Sequence, residues 1–328
     1  MKTINNINKL LLLTLTVFVF NCSPDDPNDG TIPVPNPCPN TEVFGLYSAN
    51  YQSPMVDFMH FTNLNGSVVN TVNVNLNYGV NIHGAAYNNA TSEYALVNTT
   101  QQELLKFDAN GTLTATPIPA VTNPNFYTVT SPAYLNSSLY FGNLEYVGNT
   151  HQFSVLDSGY NLIASPNTVT LTAASVNYEF SISATTDNIS HIYYLIGTNL
   201  VAYDTFNNAM TVSSITPSSF NGNYIGVEYY DVDKLLAIKQ ENGTNGELVM
   251  LDISNPAALM ETPLLNLGME INIETYSTAF DACKEKYLVV SNNFSGGYSF
   301  LEIDLTGTPQ TNTTTAATGS LIGIVAKN

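Results

Sequence analysis

The sequence predicts an all-β chain: a six-bladed β-propeller of four-stranded antiparallel blades over residues 41–328, its ring closed by pairing of N- and C-terminal strands. Three observations predict it. Residues 41–328 hold short alternating runs rich in Tyr, Val, Ile, Leu, Phe and Thr, broken by clusters of Asn, Gly, Ser and Pro, with almost no helical periodicity. One phrase recurs along them, an apolar strand that ends in Asp and runs straight into a turn. The two ends of this region carry complementary pieces of a single blade.

Taken along the chain, the recurring strand is Phe58–Thr62 (a degenerate copy, with Thr62 in the Asp place), then Leu104–Asp108, Phe153–Asp157, Leu200–Asp204, Leu248–Asp252 and Phe300–Asp304. The anchors are 46, 49, 47, 48 and 52 residues apart, and four strands in such a repeat make one propeller blade. The second repeat shows the order: 83–88, 94–97, 104–108 and 113–118. Before the first anchor there is room for one strand, 43–48, where a blade needs two. After the last, 310–316 supplies an outer strand and Leu321–Val325 is left over as an innermost one. Residues 305–328 and 41–62 together make a repeat of the same length as the others. A closed ring has no free sheet edge. A seven-bladed division needs a further anchor that the sequence lacks; a pair of β-sandwiches is the remaining alternative. The anchor aspartates each precede a turn and so read as turn caps rather than metal ligands.

The chain begins with Lys2 and Lys9 followed by an uncharged, mostly apolar stretch, Leu10–Phe20, which ends at Cys22. Eleven helical residues would cover about half of a bilayer's hydrocarbon core, so this is a targeting segment and not a membrane span. It resembles a bacterial lipoprotein signal (residues 1–21), in which Cys22 becomes the first mature residue and carries the lipids, with Asn21 standing where Gly, Ala or Ser is usual. A simple secretory peptide cut elsewhere is the alternative. Ser23-Pro24-Asp25-Asp26 is similar to the acidic export tag of some surface lipoproteins, which implies an outer-membrane protein displayed on the cell surface; alternatively, these aspartates merely keep the segment soluble. Residues 22–40 hold six prolines from Pro24 to Pro39 and no apolar period, the composition of a semi-rigid tether.

The blade length and strand order of 41–328 resemble the six-bladed propellers of the TolB-like and NHL-like kind, without the signature of a named subfamily. That resemblance implies a ligand site at the mouth where the loops leading into the innermost strands gather. Mapped here, those segments carry His83, Tyr127, Glu179, Tyr224, Glu274 and Tyr276. Tyrosines offer flat apolar faces with a polar tip, suited to a protein or glycan partner; packing between blades is the alternative role for each. Glu179 and Glu274 form a candidate pair for Ca2+, as in some propeller hydrolases and lactonases.

Composition excludes one class of partner. With 8 Lys+Arg against 26 Asp+Glu the chain carries a formal charge of −18, the opposite of a nucleic-acid binder. The four His residues (60, 83, 151, 191) show no zinc spacing, and there is no Gly-x-Ser-x-Gly elbow or phosphate loop. The favoured function is therefore a lipid-anchored binding or scaffold module without catalysis. The alternatives are a calcium-dependent hydrolase or lyase and an accessory subunit of an outer-membrane barrel complex. Once Cys22 is lipidated, Cys38 and Cys283 are the two thiols left in an oxidising compartment. Strand order puts both at the face opposite the mouth, on neighbouring blades, so they are expected to form a disulfide that pins the tether there with the mouth facing away from the membrane.

Overall fold

The computed structural model describes residue 38 and residues 41–49, 56–61, 68–74, 82–98, 102–119, 127–147, 150–171, 182–215, 222–241, 243–271, 278–293 and 297–327. The lipoprotein signal with Cys22 and all of the tether but Cys38 lie outside them. Apart from Cys38, the described residues belong to one compact unit, Pro39–Asn328.

They form six four-stranded antiparallel sheets and no helix. Blade 1 is β24 (Ser320–Lys327), β1 (Glu42–Ser48), β2 (Asp57–Phe61) and β3 (Val68–Asn73). Blade 2 is β4 (Ile82–Asn88), β5 (Glu93–Asn98), β6 (Glu103–Phe107) and β7 (Leu113–Pro117). Blade 3 is β8 (Tyr127–Leu135), β9 (Ser138–Val147), β10 (Thr150–Leu156) and β11 (Val169–Leu171). Blade 4 is β12 (Ile182–Thr186), β13 (His191–Ile196), β14 (Asn199–Asp204) and β15 (Ala209–Ser214). Blade 5 is β16 (Gly222–Asp231), β17 (Lys234–Glu241), β18 (Glu247–Asp252) and β19 (Met260–Asn266). Blade 6 is β20 (Thr278–Asp281), β21 (Lys286–Asn293), β22 (Gly297–Asp304) and β23 (Gln310–Thr318). The protein is a six-bladed β-propeller, closed where β24 pairs with β1 from Glu42↔Lys327 to Ser48↔Ser320.

No single core sits at the centre. The buried apolar side chains form six clusters among the described residues, each shared by two adjacent blades. The closing interface shows the pattern: Val43, Leu321 and Ile324 of blade 1 pack on Ala279, Leu288, Val290 and Phe300 of blade 6. Alternation along each strand gives every blade two apolar faces, and only a ring covers both faces of all six.

The five recurring aspartates cap turns. Asp108 accepts the N–H groups of Asn110 and Thr112, Asp157 those of Gly159 and Asn161, and Asp204 those of Phe206 and Asn207. Asp252 and Asp304 accept from Ser254 and Thr306. These bonds, led by that from the Thr112 N–H, hold the Asp108 carboxyl below the ordinary carboxylate range.

The innermost strands carry bulges at which backbone carbonyls turn toward the next blade. Gly226 (φ 64°) and Gly323 (φ 62°) adopt the left-handed region open to glycine. The Tyr287 hydroxyl donates to the Gly226 carbonyl, and the Tyr94 hydroxyl to the Gly323 carbonyl at 2.5 Å. A Cβ on Gly226 would lie 2.7 Å from the Tyr287 hydroxyl, and one on Gly323 2.6 Å from that of Tyr94. Glycine is thus required twice over, for φ and for the tyrosine.

Cys38 and Cys283 form a disulfide, as the sequence led us to expect. Cys283 lies in the turn between β20 and β21. Next to it, the Thr41 hydroxyl donates to the Asp281 carboxylate and accepts from Lys284 Nζ at 3.0 Å, fastening the start of β1 to blade 6.

Candidate functional site

The six innermost strands, β24, β4, β8, β12, β16 and β20, line a central channel. In blades 2–6 the turns joining first to second and third to fourth strands lie at one end of it, here the turn face, and the innermost strands β4, β8, β12, β16 and β20 begin at the other end. Within the channel is a cavity of about 340 Å³ that reaches the turn face past Asn89, Asp187, Asn188 and Ala282. Ala85, Pro132, Ala184, Glu228 and Thr278 line both this cavity and a second, narrower space of about 40 Å³, here the neck, which also lies against Gly84, Ser131, Ser183, Val227 and Ile324.

The wider cavity is aromatic and acidic. Tyr87, Tyr134, Tyr229, Tyr230 and Phe280 stand around it, and no Lys, Arg or His is among the described residues that line it. Tyr134 donates its hydroxyl to Glu93, which also pairs with Lys106 at 2.8 Å. A stacked row runs outward from the wall: Tyr229 on Tyr193 (6.3 Å between centroids), and Tyr193 on His191 (5.9 Å).

Two carboxyl groups face this space. Asp187 directly follows β12 and accepts three backbone N–H groups, from Ile189, Ser190 and His191, at 2.7–2.9 Å. Burial pushes its carboxyl up, but the His191, Ile189 and Ser190 N–H groups outweigh that and hold it below the usual carboxylate range. His191 Nδ1 lies 3.1 Å from the Asp187 carboxylate and 2.9 Å from Ser190 Oγ. Glu228, on β16, is the opposite case. Its carboxyl sits deep inside the ring, its remaining exposure is to the channel, and its one hydrogen bond among the described residues is from Thr278 Oγ1 at 3.3 Å. Burial pushes it up to about 8, the Thr278 bond opposing only weakly, so Glu228 is mostly protonated at neutral pH.

Of the residues expected at the mouth, Glu179, Glu274 and Tyr276 lie outside the described residues, and with them the candidate Ca2+ pair. His83 and Tyr127 are in β4 and β8, near the strand ends opposite the turn face. Tyr224 needs correction. It is fully buried in the cluster between blades 4 and 5, with its hydroxyl donated to Glu261, and is a packing residue that no ligand reaches. Among the described residues no group of three His, Cys, Asp or Glu side chains is placed to hold a metal ion. His60 is packed: its ring stacks on Phe44 and its Nε2 is 3.2 Å from Glu42. The residues that sequence reasoning missed are Glu228, Tyr229 and Tyr230. Their signal was a carboxylate followed by two aromatics at the end of an otherwise apolar innermost strand.

No family model matches the chain, and no curated protein does. Solved structures match it over most of its length. TolB from Acinetobacter baumannii shares 13% identity and a TM-score of 0.55 over 88% of this chain, which spans 66% of that protein, just under two thirds of its length. A chain of a nidogen/laminin complex gives 10% identity and the same TM-score, covering 88% of this chain and 98% of its own. The periplasmic gluconolactonase of Pseudomonas aeruginosa gives 11% and 0.52 over 87% and 98%. What the three share with this chain is the fold. At such identities the likeness shows the propeller scaffold, TolB-like propellers among its neighbours, and leaves the chemistry to the site itself.

Proposed function

We propose that the protein is a lipid-anchored binding module at the cell surface, and that it captures a polypeptide partner on the turn face, over the open end of the channel. The observation that carries this reading is the placement of exposed apolar side chains. Phe206, Ile189, Val232, Met260 and Leu162 are between 51% and 90% exposed, the largest values among the described large apolar residues. All five lie at turns or strand starts of blades 3, 4 and 5 on the turn face. Single exposed apolar residues are ordinary, but five on one face of adjacent blades are the mark of an interaction surface. Between them stand Asp157, Asp187, Asp204, Asp231 and Asp252, with Lys234 as their basic neighbour. A basic segment with interleaved apolar side chains complements such a face, and a protein fits it better than a glycan does.

Substituting Phe206 and Val232 together by Asp is expected to abolish capture of the partner while leaving the melting temperature within about 1 °C, since neither side chain is buried. The measurement is crosslinking on intact cells with identification of the crosslinked protein. Tyr146→Asp, near the opposite face, serves as the control. Loss of capture with Tyr146→Asp and not with the double variant would move the site to the mouth.

Anchoring is tested separately. Cys22→Ala is expected to release the protein from the membrane fraction or to block its processing. A variant that stays membrane-bound and is processed normally would remove the lipid anchor from this reading.

A further inference from the structure

We propose that the neck of the channel binds a primary ammonium group carried on an unbranched alkyl stem, with Glu228 as its counter-ion. The site is distinct from the exposed turn face, and it stands whether or not a polypeptide docks there.

The geometry points to an ammonium for four reasons. First, Glu228 is a carboxyl group set deep in the ring, with a single hydroxyl as hydrogen-bonding partner among the described residues and no cation along the described wall. A buried carboxyl kept without a cation is costly to the fold, and its retention is explained by a ligand that supplies one. Second, the neck has room for a small group only, about 40 Å³. A compact ammonium on a thin stem suits it better than a planar guanidinium or a sugar ring. Third, the neck offers more than one acceptor. Ser131 Oγ and Ser183 Oγ line it with Glu228 and Thr278; Ser131 donates to the Ile182 carbonyl and Ser183 accepts the Val227 N–H, so each keeps a lone pair for the ligand. An ammonium has three N–H donors to place. Fourth, the path to the neck is lined by Tyr87, Tyr134, Tyr229, Tyr230 and Phe280, which accept an alkyl stem on their faces and attract a passing cation. Asp187, at the open end, provides a second negative charge for a ligand with a second amine.

Proton balance gives the proposal its signature. The groups that face Glu228 or share its cavity are Thr278 on β20, Tyr287 on β21, Ser183 on β12 and Asp187 just after it, Tyr134 on β8, Tyr87 on β4, and Tyr229 and Tyr230 on its own strand; the described lining of β24 is apolar. Glu228 is the group that changes charge near neutrality. It rests protonated up to about pH 8, whereas an alkylammonium stays charged to about pH 10. Binding therefore transfers the Glu228 proton to buffer, and the bound pair is ammonium and carboxylate. Affinity is expected to rise close to tenfold per pH unit from pH 6 toward about 8, to level off, and to fall as the free amine loses its own proton.

The same amine chemistry comes from two sources, a free diamine or the lysine side chain of a docked polypeptide. The experiment is calorimetric titration of the full chain with 1,5-diaminopentane, with Nα-acetyl-lysine amide, and with 1-pentanol, at pH 6.5 in buffers of different ionisation enthalpy. The expected result is binding of one or both amines with release of close to one proton, and no binding of the alcohol. Binding by the diamine alone assigns the site to free diamines; binding by the lysine amide assigns it to a lysine side chain. Glu228→Gln is expected to weaken amine binding at least tenfold and to abolish proton release. That variant is isosteric and is expected to melt no lower than the native chain at pH 7, because a neutral amide replaces a group whose ionisation opposes folding. Equal binding of pentanol, absence of amine binding up to millimolar concentration, or unchanged binding by a folded Glu228→Gln variant would each overturn the proposal. None of these results bears on capture by the turn face, which is read from Phe206 and Val232.

Discussion

A chain truncated after Gly319 is expected to form no stable propeller. The deletion removes β24, the innermost strand of blade 1, and with it the buried side chains of Leu321, Ile324 and Val325. Burying each contributes roughly 1.5–3 kcal/mol, so the three together approach the whole stability of a typical domain, about 5–15 kcal/mol. Polar losses add to this. Asn292 clamps Leu321 through two hydrogen bonds of 2.9 Å, and the Tyr94 hydroxyl bonds the Gly323 carbonyl. Truncation takes these partners away from buried groups of blades 6 and 2, and desolvated polar groups that lose a partner are costly. It also bares the edge of β1 to other chains. Circular dichroism melting and size-exclusion chromatography measure the outcome. A truncated chain that stays monomeric with an unchanged melting temperature would show that β24 does not close the ring.

Replacing both Cys38 and Cys283 by Ser is expected to give the next largest loss. The bond closes a loop of roughly 240 residues, for which loss of unfolded-chain entropy amounts to on the order of 5–6 kcal/mol. The effect on melting temperature is expected to be on the order of 10 °C. It is smaller than that of truncation for a structural reason. The Thr41 hydroxyl still reaches Asp281 and Lys284, and β1 still pairs with β24, so the closing blade keeps its packing when the covalent link is gone. Reduction of the native chain is expected to give the same shift. Two alkylatable thiols in unreduced, exported protein, or a double variant that melts with the native chain, would contradict this.

The two perturbations probe how the ring resists opening, and the blade interfaces explain why neither is local. Each apolar cluster belongs to two blades. Loosening blade 1 therefore uncovers faces of blades 6 and 2 alike.

Much of this architecture was legible in the sequence because the signals are local. Alternation sets which residues are strands, and the Asp-turn phrase marks where the third strand of each blade ends. The capping bonds of Asp108, Asp157 and Asp204 show why that phrase repeats: each turn needs an acceptor for its own N–H groups. Ring closure was legible from the leftover strand Leu321–Val325, and the disulfide from the strand order that follows from it.

The candidate site was far less legible, and Tyr224 shows the reason. Along β16 the pairing register with β17 shifts between Ile225 and Glu228, at the bulge around Gly226. Tyr224 and Val227 therefore pack between blades, while Glu228, Tyr229 and Tyr230 border the channel. A period-two reading carried through the bulge assigns these faces incorrectly.

By itself, then, the sequence determined the strand content, the number of blades, the pairing of the chain ends and the partnership of Cys38 with Cys283. Each depends on residues near in sequence or on counting along it. Only the tertiary structure decided that Glu228 is the one ionisable side chain among the described residues of the neck, that five aromatic rings surround the neighbouring cavity, and that Phe206, Val232 and Met260 emerge on one face. The channel wall is assembled from six strands, each from a different blade, and one twist or bulge in any of them redirects its side chains, so no local pattern encodes what meets at the centre.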